Sequence, residues 1–187
     1  QVECTVDAVD QTTITFSFKP NEDTGGYAFC IYPKGQAESD FNSWGPMFGF
    51  ATIGDMVRQW GITQTGNYTH TYTGMNPGSD YELYIQPWDA RGNNADYSVV
   101  SVSTQKMGGE GLAEMTITVG EFGGNAGTGY YQVVTYTPND QVSLHRDMVL
   151  EKKALESGQW TEETVVNYLK EDNPYDPEWN QYGVDVA

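Results

Sequence analysis

The chain has 187 residues and a formal net charge of −17, from 9 Lys and Arg residues against 26 Asp and Glu residues. A surface this acidic repels phosphate groups, so the composition excludes nucleic acid as a partner and disfavours anionic membrane surfaces. The sequence contains no apolar run of about 18 residues, so we predict that no segment spans a membrane. The length allows one large domain or two domains of about 100 residues each.

Short strands separated by turns account for most of residues 1–106. From Thr12 to Phe18, the apolar residues Ile14, Phe16 and Phe18 alternate with polar residues, which predicts a strand with one buried face. Further strands are predicted at 27–32, 68–72, 81–88 and 98–104. Two cysteines, at positions 4 and 30, do not form a disulfide framework, and whether they pair is left open.

A less regular stretch, residues 36–66, interrupts these strands and contains a predicted helix from Thr52 to Trp60. Thr52 and Asp55 have the spacing of a capping box, and Gly61 is expected to end the helix. Four residues make the preceding segment too apolar for a free loop: Trp44, Pro46, Phe48 and Phe50. We therefore expect the stretch to form a helical insertion with a small core of its own.

A glycine-rich linker at 106–111 is followed by a partial repeat of the same pattern. Residues 116–119 resemble 13–16, residues 129–138 resemble 26–33, and residues 161–169 resemble 52–60. The offset between the copies grows along the chain, which predicts extra residues in the second insertion, at about 140–180, and an additional helix from Ser143 to Glu156. Two copies are too few for a solenoid, so they predict tandem domains.

The second copy, residues 112–187, lacks counterparts of the last strands of the first. Its segment from Tyr182 to Val186 is expected to correspond to the strand at 68–72, and nothing corresponds to 81–88 or 98–104. A sandwich without these strands would expose a core face and a sheet edge. We expect the natural protein to continue past Ala187; the alternative is strand or edge pairing with another chain.

The segment from Tyr72 to Tyr84 reads Tyr-Thr-Gly-Met-Asn-Pro-Gly-Ser-Asp-Tyr-Glu-Leu-Tyr. It resembles the fibronectin type III signature Leu-x-Pro-Gly-Thr-x-Tyr-x-Val, with Met75 at the leucine, Ser79 at the threonine and Tyr81 at the tyrosine corner. The resemblance implies an all-β fold: two tandem fibronectin type III or immunoglobulin-like β-sandwiches, each with a short helical insertion, the second lacking its last strands.

The helical insertions are similar to those of tandem modules in surface lipoproteins of gut Bacteroidetes. This resemblance implies a protein that is secreted or anchored at the cell surface, on the outer face of a bacterial envelope. It also implies binding, adhesion or spacing rather than catalysis, although a fold alone does not determine function.

Motifs for catalysis or metal binding are absent from the sequence. Neither His70 nor His145 has metal-ligand spacing, and the alternation of His70 with Tyr68 and Tyr72 predicts a residue on the strand surface. Two oxygen-rich segments, 89–96 and 172–178, do not fit the spacing of a calcium loop. We therefore expect no metal, no cofactor and no catalytic residue.

Aromatic side chains are the best candidates for ligand contacts. Sugar rings stack on such side chains, so we predict ligand binding by residues in or near the loops and the insertion: Trp44, Trp60, Trp88 and Tyr97. The alternative is that the aromatic residues of the insertion cover one sheet. The predicted function is a non-catalytic extracellular binding or adhesion module for a glycan or surface protein; the alternatives are a structural spacer of a larger surface lipoprotein and a fragment of a secreted enzyme.

Overall fold

The computed structural model describes residues 1–171, 173, 176 and 179–187. The chain is mostly β-structure and divides into two compact units, Gln1–Lys106 and Met107–Ala187. In the described part of the chain, all three sheets are antiparallel. No helix in these ranges combines the length and the apolar character needed to cross a bilayer.

The first unit, all of whose residues are described, alternates strands with two helices. Its elements are β1 Val2–Val9, β2 Ile14–Pro20, β3 Gly26–Pro33, α1 Gln36–Phe48, α2 Ile53–Trp60, β4 Ile62–Gln64, β5 Tyr68–Tyr72, β6 Asp80–Trp88 and β7 Ser98–Ser103. One sheet has the strand order β1-β2-β5 and the other has the order β4-β3-β6-β7. The strands predicted from the alternating pattern are confirmed to within a few residues.

The two sheets of the first unit pack face to face around one hydrophobic core, which gives a sandwich-like fold. The first sheet contributes the predicted buried face of β2, namely Ile14, Phe16 and Phe18, all almost fully buried. The second sheet contributes Phe29 and Leu83, among others. The rings of Phe18 and Phe29 stack at a centroid distance of 4.3 Å and join the two sheets.

Helices α1 and α2, together called the helical layer, cover the outer face of the four-stranded sheet. Ala37 of α1 and Met56 and Val57 of α2 pack against Ala28 of β3 and Tyr84 of β6. Strand β3 is therefore covered on both faces, which explains why its sequence is apolar almost throughout rather than alternating. Both helices lie within residues 36–66, where the sequence predicts a helical insertion.

The two helices differ in how well the sequence predicts them. Thr52 caps α2 through a complete capping box with Asp55, and the helix ends before Gly61, as predicted. Helix α1 is an additional element, because residues 36–48 are helical where the sequence indicates only an apolar segment. It is flanked by Gly35 and Gly49, both left-handed (φ 78° and 72°), and has no side-chain cap.

The prediction that His70 lies on the strand surface is wrong. Its partner in the register is Phe16, whose side chain faces the core, and its ring lies 5.6 Å from that of Phe29. Tyr68 and Tyr72, two residues away on either side, also pack against the core. The period-two pattern is real, but the face that carries the three rings points inward.

In the described residues of the second unit, three strands and two short helices form: β8 Met115–Asn125, β9 Gly129–Pro138, α3 Lys152–Glu156, α4 Glu162–Lys170 and β10 Asp185–Val186. The strand order is β10-β9-β8. Helix α4 is confirmed, and its capping box of Thr161 and Thr164 matches that of α2. Most of the large apolar side chains of β8 are more than half exposed, including Ile117, Val119 and Phe122.

The predicted repeat does not extend to strand pairing. β8 and β9 form one long hairpin, whereas their predicted counterparts β2 and β3 lie in different sheets. β10 pairs with β9 as β4 pairs with β3, so the predicted equivalence of residues 182–186 with β5 is wrong.

The predicted helix from Ser143 to Glu156 is also wrong, because only the last five of these residues, which form α3, are helical. The N–H and C=O groups of His145 instead bond to Gln181 at 3.0 and 2.9 Å. Both backbone groups are therefore used in a strand-like bridge and cannot join a helical ladder.

Candidate functional site

The four predicted ligand-binding residues all belong to the first unit and fall in three places. Trp44 lies in α1 and Trp60 is the last residue of α2; their side chains are 48% and 45% exposed. Trp88 ends β6 and is half-buried, while Tyr97 directly precedes β7 and is 38% exposed. No aromatic ring contact joins any two of these four side chains, each of which the structure describes.

An exposed aromatic patch forms at one end of the helical layer; we define it as Trp44, Phe48, Phe50 and Trp60. The Trp60 ring meets the rings of Phe48 and Phe50 edge to face, at centroid distances of 5.3 and 5.1 Å. Trp44 and Phe48 are four residues apart on α1 and so share one side of that helix. Phe48, which the sequence does not predict as a ligand contact, is the most exposed of the four side chains of the patch, at 57%.

Trp88 makes close contacts with the protein. The Arg58 guanidinium of α2 lies 4.3 Å from the centroid of its ring, within the range of a cation–π interaction. On β3, a Cβ atom added at Gly26 would lie 2.7 Å from the ring, so only glycine fits there. These contacts fix Trp88 between the strand and the helix.

Arg58 also fastens α2 to the loop between β6 and β7. Its Nη1 donates a hydrogen bond to the carbonyl oxygen of Gly92 at 2.8 Å and another to Asn94 Oδ1. Asn94 Nδ2 in turn donates to Asp55 Oδ1 of the capping box at 2.8 Å. The loop that leads to Tyr97 is thus held by the first and second turns of α2.

The oxygen-rich loop at 89–96 is organised by its own first residue. The Asp89 carboxylate accepts hydrogen bonds from the Asn93 side chain and from the backbone N–H groups of Asn93 and Arg91, at 2.8 to 2.9 Å. These bonds, that of the Asn93 side chain above all, lower the pKa of Asp89. The other oxygen-rich segment, 172–178, lies mostly outside the described residues.

Tyr97 borders two adjoining hollows, which together we call the Tyr97 groove. One hollow, of about 440 Å³, is lined by Thr52, Asp55, Gln86, Asn94 and Asp96 as well as Tyr97. The other, of about 320 Å³, is lined by Tyr97, Thr52 and residues of the helical layer that include Glu38 and Asn42. No single sequence motif contains this groove, because its walls come from α1, α2, β6 and the loop before β7.

Hydrogen bonds and ring packing hold the floor of the groove in place. Gln86 is buried, and its Nε2 donates hydrogen bonds to the carbonyl oxygens of Ala95 and Pro87, both at 2.7 Å. The Tyr97 ring packs on the ring of Tyr84, with centroids 5.9 Å apart. Burial raises the pKa of Tyr84 to about 12, so its hydroxyl remains protonated at neutral pH. The groove is therefore preformed, as small-ligand sites usually are.

The second unit contains a partly buried polar cluster. His145 Nε2 lies 2.9 Å from the carbonyl oxygen of Gly183, and its Nδ1 lies 3.2 Å from the Asp147 carboxylate. Burial, and then the charge of Asp185, raise the pKa of Asp147, while His145 opposes this shift. In the ranges that the structure describes, no three or more His, Cys, Asp or Glu side chains are placed to hold a metal ion.

No protein family model matches the chain. No curated protein matches it. Among solved structures, a Yersinia enterocolitica family 28 exopolygalacturonase is similar at a TM-score of 0.31 and 16% sequence identity. The match covers 56% of this chain and 20% of that chain, so this chain spans about a fifth of the length of that enzyme. A similarity this low supports no conclusion about fold, activity or substrate.

Proposed function

We propose that the chain is a non-catalytic extracellular binding or adhesion module that holds its ligand on the helical layer of the first unit. The aromatic patch is the observation that carries this proposal. The sandwich core and the contacts of the helices with the sheet are complete without Trp44 and the outer ring surfaces of Phe48 and Trp60. Exposed apolar patches on a folded domain mark interaction sites.

We further propose that the first unit is fibronectin type III-like. Its strand order, β1-β2-β5 facing β4-β3-β6-β7, supports this proposal, as does the buried Tyr81, whose hydroxyl accepts a hydrogen bond from the Asn76 N–H at 2.8 Å. The matching capping boxes of α2 and α4 support a tandem relation with the second unit. An exported protein, secreted or tethered at the outer face of a bacterial envelope, is the setting we propose on the resemblance alone.

The test is a binding screen of the full chain against immobilised glycans and bacterial surface proteins, with Trp44→Ala as the first variant. Trp44 makes no aromatic ring contact with any described residue, so its loss should leave the fold intact. An interface tryptophan typically contributes about 2 kcal/mol or more, so capture of the ligand should weaken roughly 30-fold. Tyr131→Ala, which removes an exposed ring from the second unit, is the matched control.

A ligand that binds both variants as tightly as the unchanged chain would contradict the proposal. A structural spacer would then describe the first unit better, since the aromatic patch would have no part in binding. Thermal unfolding of each variant shows whether a loss of binding reflects a loss of fold.

A further inference from the structure

Tyr97 presents a ring that the fold holds in place beside a concave surface. Its ring rests on Tyr84 while more than a third of the side chain stays accessible. Stacking on such a preordered ring costs little side-chain entropy. An aromatic face beside a hollow with polar walls suits a ligand with both C–H faces and hydroxyl groups.

Hydrogen-bonding side chains that the other described residues leave unbonded surround this ring. The side chains of Glu38, Asn42 and Asp96 form no hydrogen bond with any other described residue, although all three line the groove. Asp55 and Asn94, in contrast, bond to each other. The first three residues therefore offer carboxylate acceptors and one amide to a ligand without any disruption of the helical layer.

The negative charge around the groove distinguishes uncharged ligands from anionic ones. Glu38, Asp55 and Asp96 place three carboxylates around it, and the whole chain carries −17. The nearby cation, Arg58, is occupied by the Trp88 ring and by Gly92 and Asn94. A carboxylate about 4 Å from a ligand carboxylate repels it even in a water-like dielectric. A ligand with uronic acid or sulfate groups is thus disfavoured, and an uncharged one is not.

The distance between the two aromatic features sets the size of the ligand. Thr52, in the groove, directly precedes α2, and Trp60 of the aromatic patch is the last residue of that helix. Eight helical residues span about 12 Å. A ligand that contacts both features must therefore be an extended chain of several rings.

We infer that the helical layer binds an uncharged oligosaccharide and that the Tyr97 groove holds one of its sugar rings. This inference rests on the proposed binding function of the helical layer and adds the ligand class and a second contact point. The inference depends on the position of the Tyr97 ring beside the side chains of Glu38, Asn42 and Asp96, which form no hydrogen bond with other described residues.

The experiment titrates the full chain by calorimetry with xylan, mannan, galactan and β-glucan oligosaccharides, and with oligogalacturonate of matched length. At least one neutral oligosaccharide should bind more than tenfold tighter than oligogalacturonate. Tyr97→Ala should weaken that binding at least tenfold, whereas Tyr97→Phe, which keeps the ring, should bind within about twofold of the unchanged chain. The double variant E38Q/D96N should reduce the ratio of the affinity for the neutral oligosaccharide to the affinity for oligogalacturonate.

The outcomes separate this inference from the proposal on which it rests. Equal or tighter binding of oligogalacturonate, no binding of any neutral oligosaccharide, or a folded Tyr97→Ala variant with unchanged affinity would each overturn the inference. If a surface protein is captured instead and Trp44→Ala releases it, the inference fails while the binding function stands. If Trp44→Ala affects capture of neither ligand class, the proposed function itself fails.

Discussion

The hydroxyl group of Tyr81 should contribute measurably to the stability of the first unit. It accepts a hydrogen bond from the Asn76 N–H at 2.8 Å, in the turn before β6, and the Tyr81 ring is buried. Tyr81→Phe keeps the ring and removes this bond. The loss of one such bond, with the N–H left partly buried and unpaired, costs about 1–2 kcal/mol. For a unit of about 100 residues, that corresponds to a fall in Tm of roughly 4–16 °C.

Tyr72→Phe is the matched control, because it makes the same chemical change but should not lower the free energy of unfolding. The Tyr72 hydroxyl is buried and has no hydrogen bond of acceptable geometry with any described residue, although the Ile31 backbone lies near enough to influence its pKa. Removing a buried, unpaired hydroxyl is neutral or stabilising by up to about 1 kcal/mol.

Native-state hydrogen exchange of the full chain, read peptide by peptide over residues 1–106, reports the free energy of unfolding of the first unit separately from that of the second. Tyr81→Phe should speed exchange in the core strands β2, β3 and β6. The reasoning is refuted if Tyr81→Phe leaves this free energy unchanged, or if the two variants lower it equally.

Three further predictions concern packing, thiol chemistry and pH. Gly54→Val should destabilise the first unit by about 1–3 kcal/mol in urea denaturation, because its Cβ would lie 1.8 Å from Gln86 Oε1; unchanged stability would contradict the close approach of α2 to β6. Burial raises the pKa of Cys4 to about 11 and also raises the pKa of Cys30. Both cysteines are free thiols, so they should react slowly with a thiol reagent at pH 8 in the native state and rapidly in denaturant; failure of both to react in denaturant would indicate a disulfide. The folded pKa of Asp89 lies below its ordinary value of 3.8, so ionisation of Asp89 stabilises the fold above that pH, and this stabilisation is lost as the pH falls through the lower folded value. Asn93→Ala should raise the pKa of Asp89 in an NMR titration. An unchanged titration would contradict the role of the Asn93 hydrogen bond.

The sequence predicts α2 but not α1 for a physical reason. The signals of α2 are local, since the Thr52 and Asp55 capping box is a spacing within the chain. Helix α1 has no side-chain cap and contains both Gly45 and Pro46, two residues that disfavour helices. Its stability must come from tertiary contacts such as the burial of Ala37 against the sheet, which no local pattern records.

The residues of the candidate site also differ in how well the sequence predicts them. An excess of exposed aromatic residues in an insertion is visible in the sequence, so Trp44 and Trp60 could be predicted. The Tyr97 groove could be predicted only in part, because Glu38, Thr52 and Tyr97 come together through the packing of α1, α2 and the loop before β7. In the second unit, the repeated strand pattern predicts which residues alternate along a strand, but it does not predict which strands pair.

The packing of the first unit favours the helical layer over a sheet as the proposed ligand site. One face of the four-stranded sheet is used by the sandwich core and the other by the helices, so its strands are closed to a ligand. The outer face of β2 and β5 is open, but its hydroxyl groups pair across the strands, Thr15 with Thr71 and Ser17 with Thr69, both at 2.9 Å. The helical layer and the loop before β7 combine exposed aromatic rings with polar side chains that form no hydrogen bond with other described residues. A chain cut back to a plain sandwich, without residues 36–60, would expose Ala28 and Tyr84, and so the insertion that carries the proposed ligand site is also needed to cover the sheet.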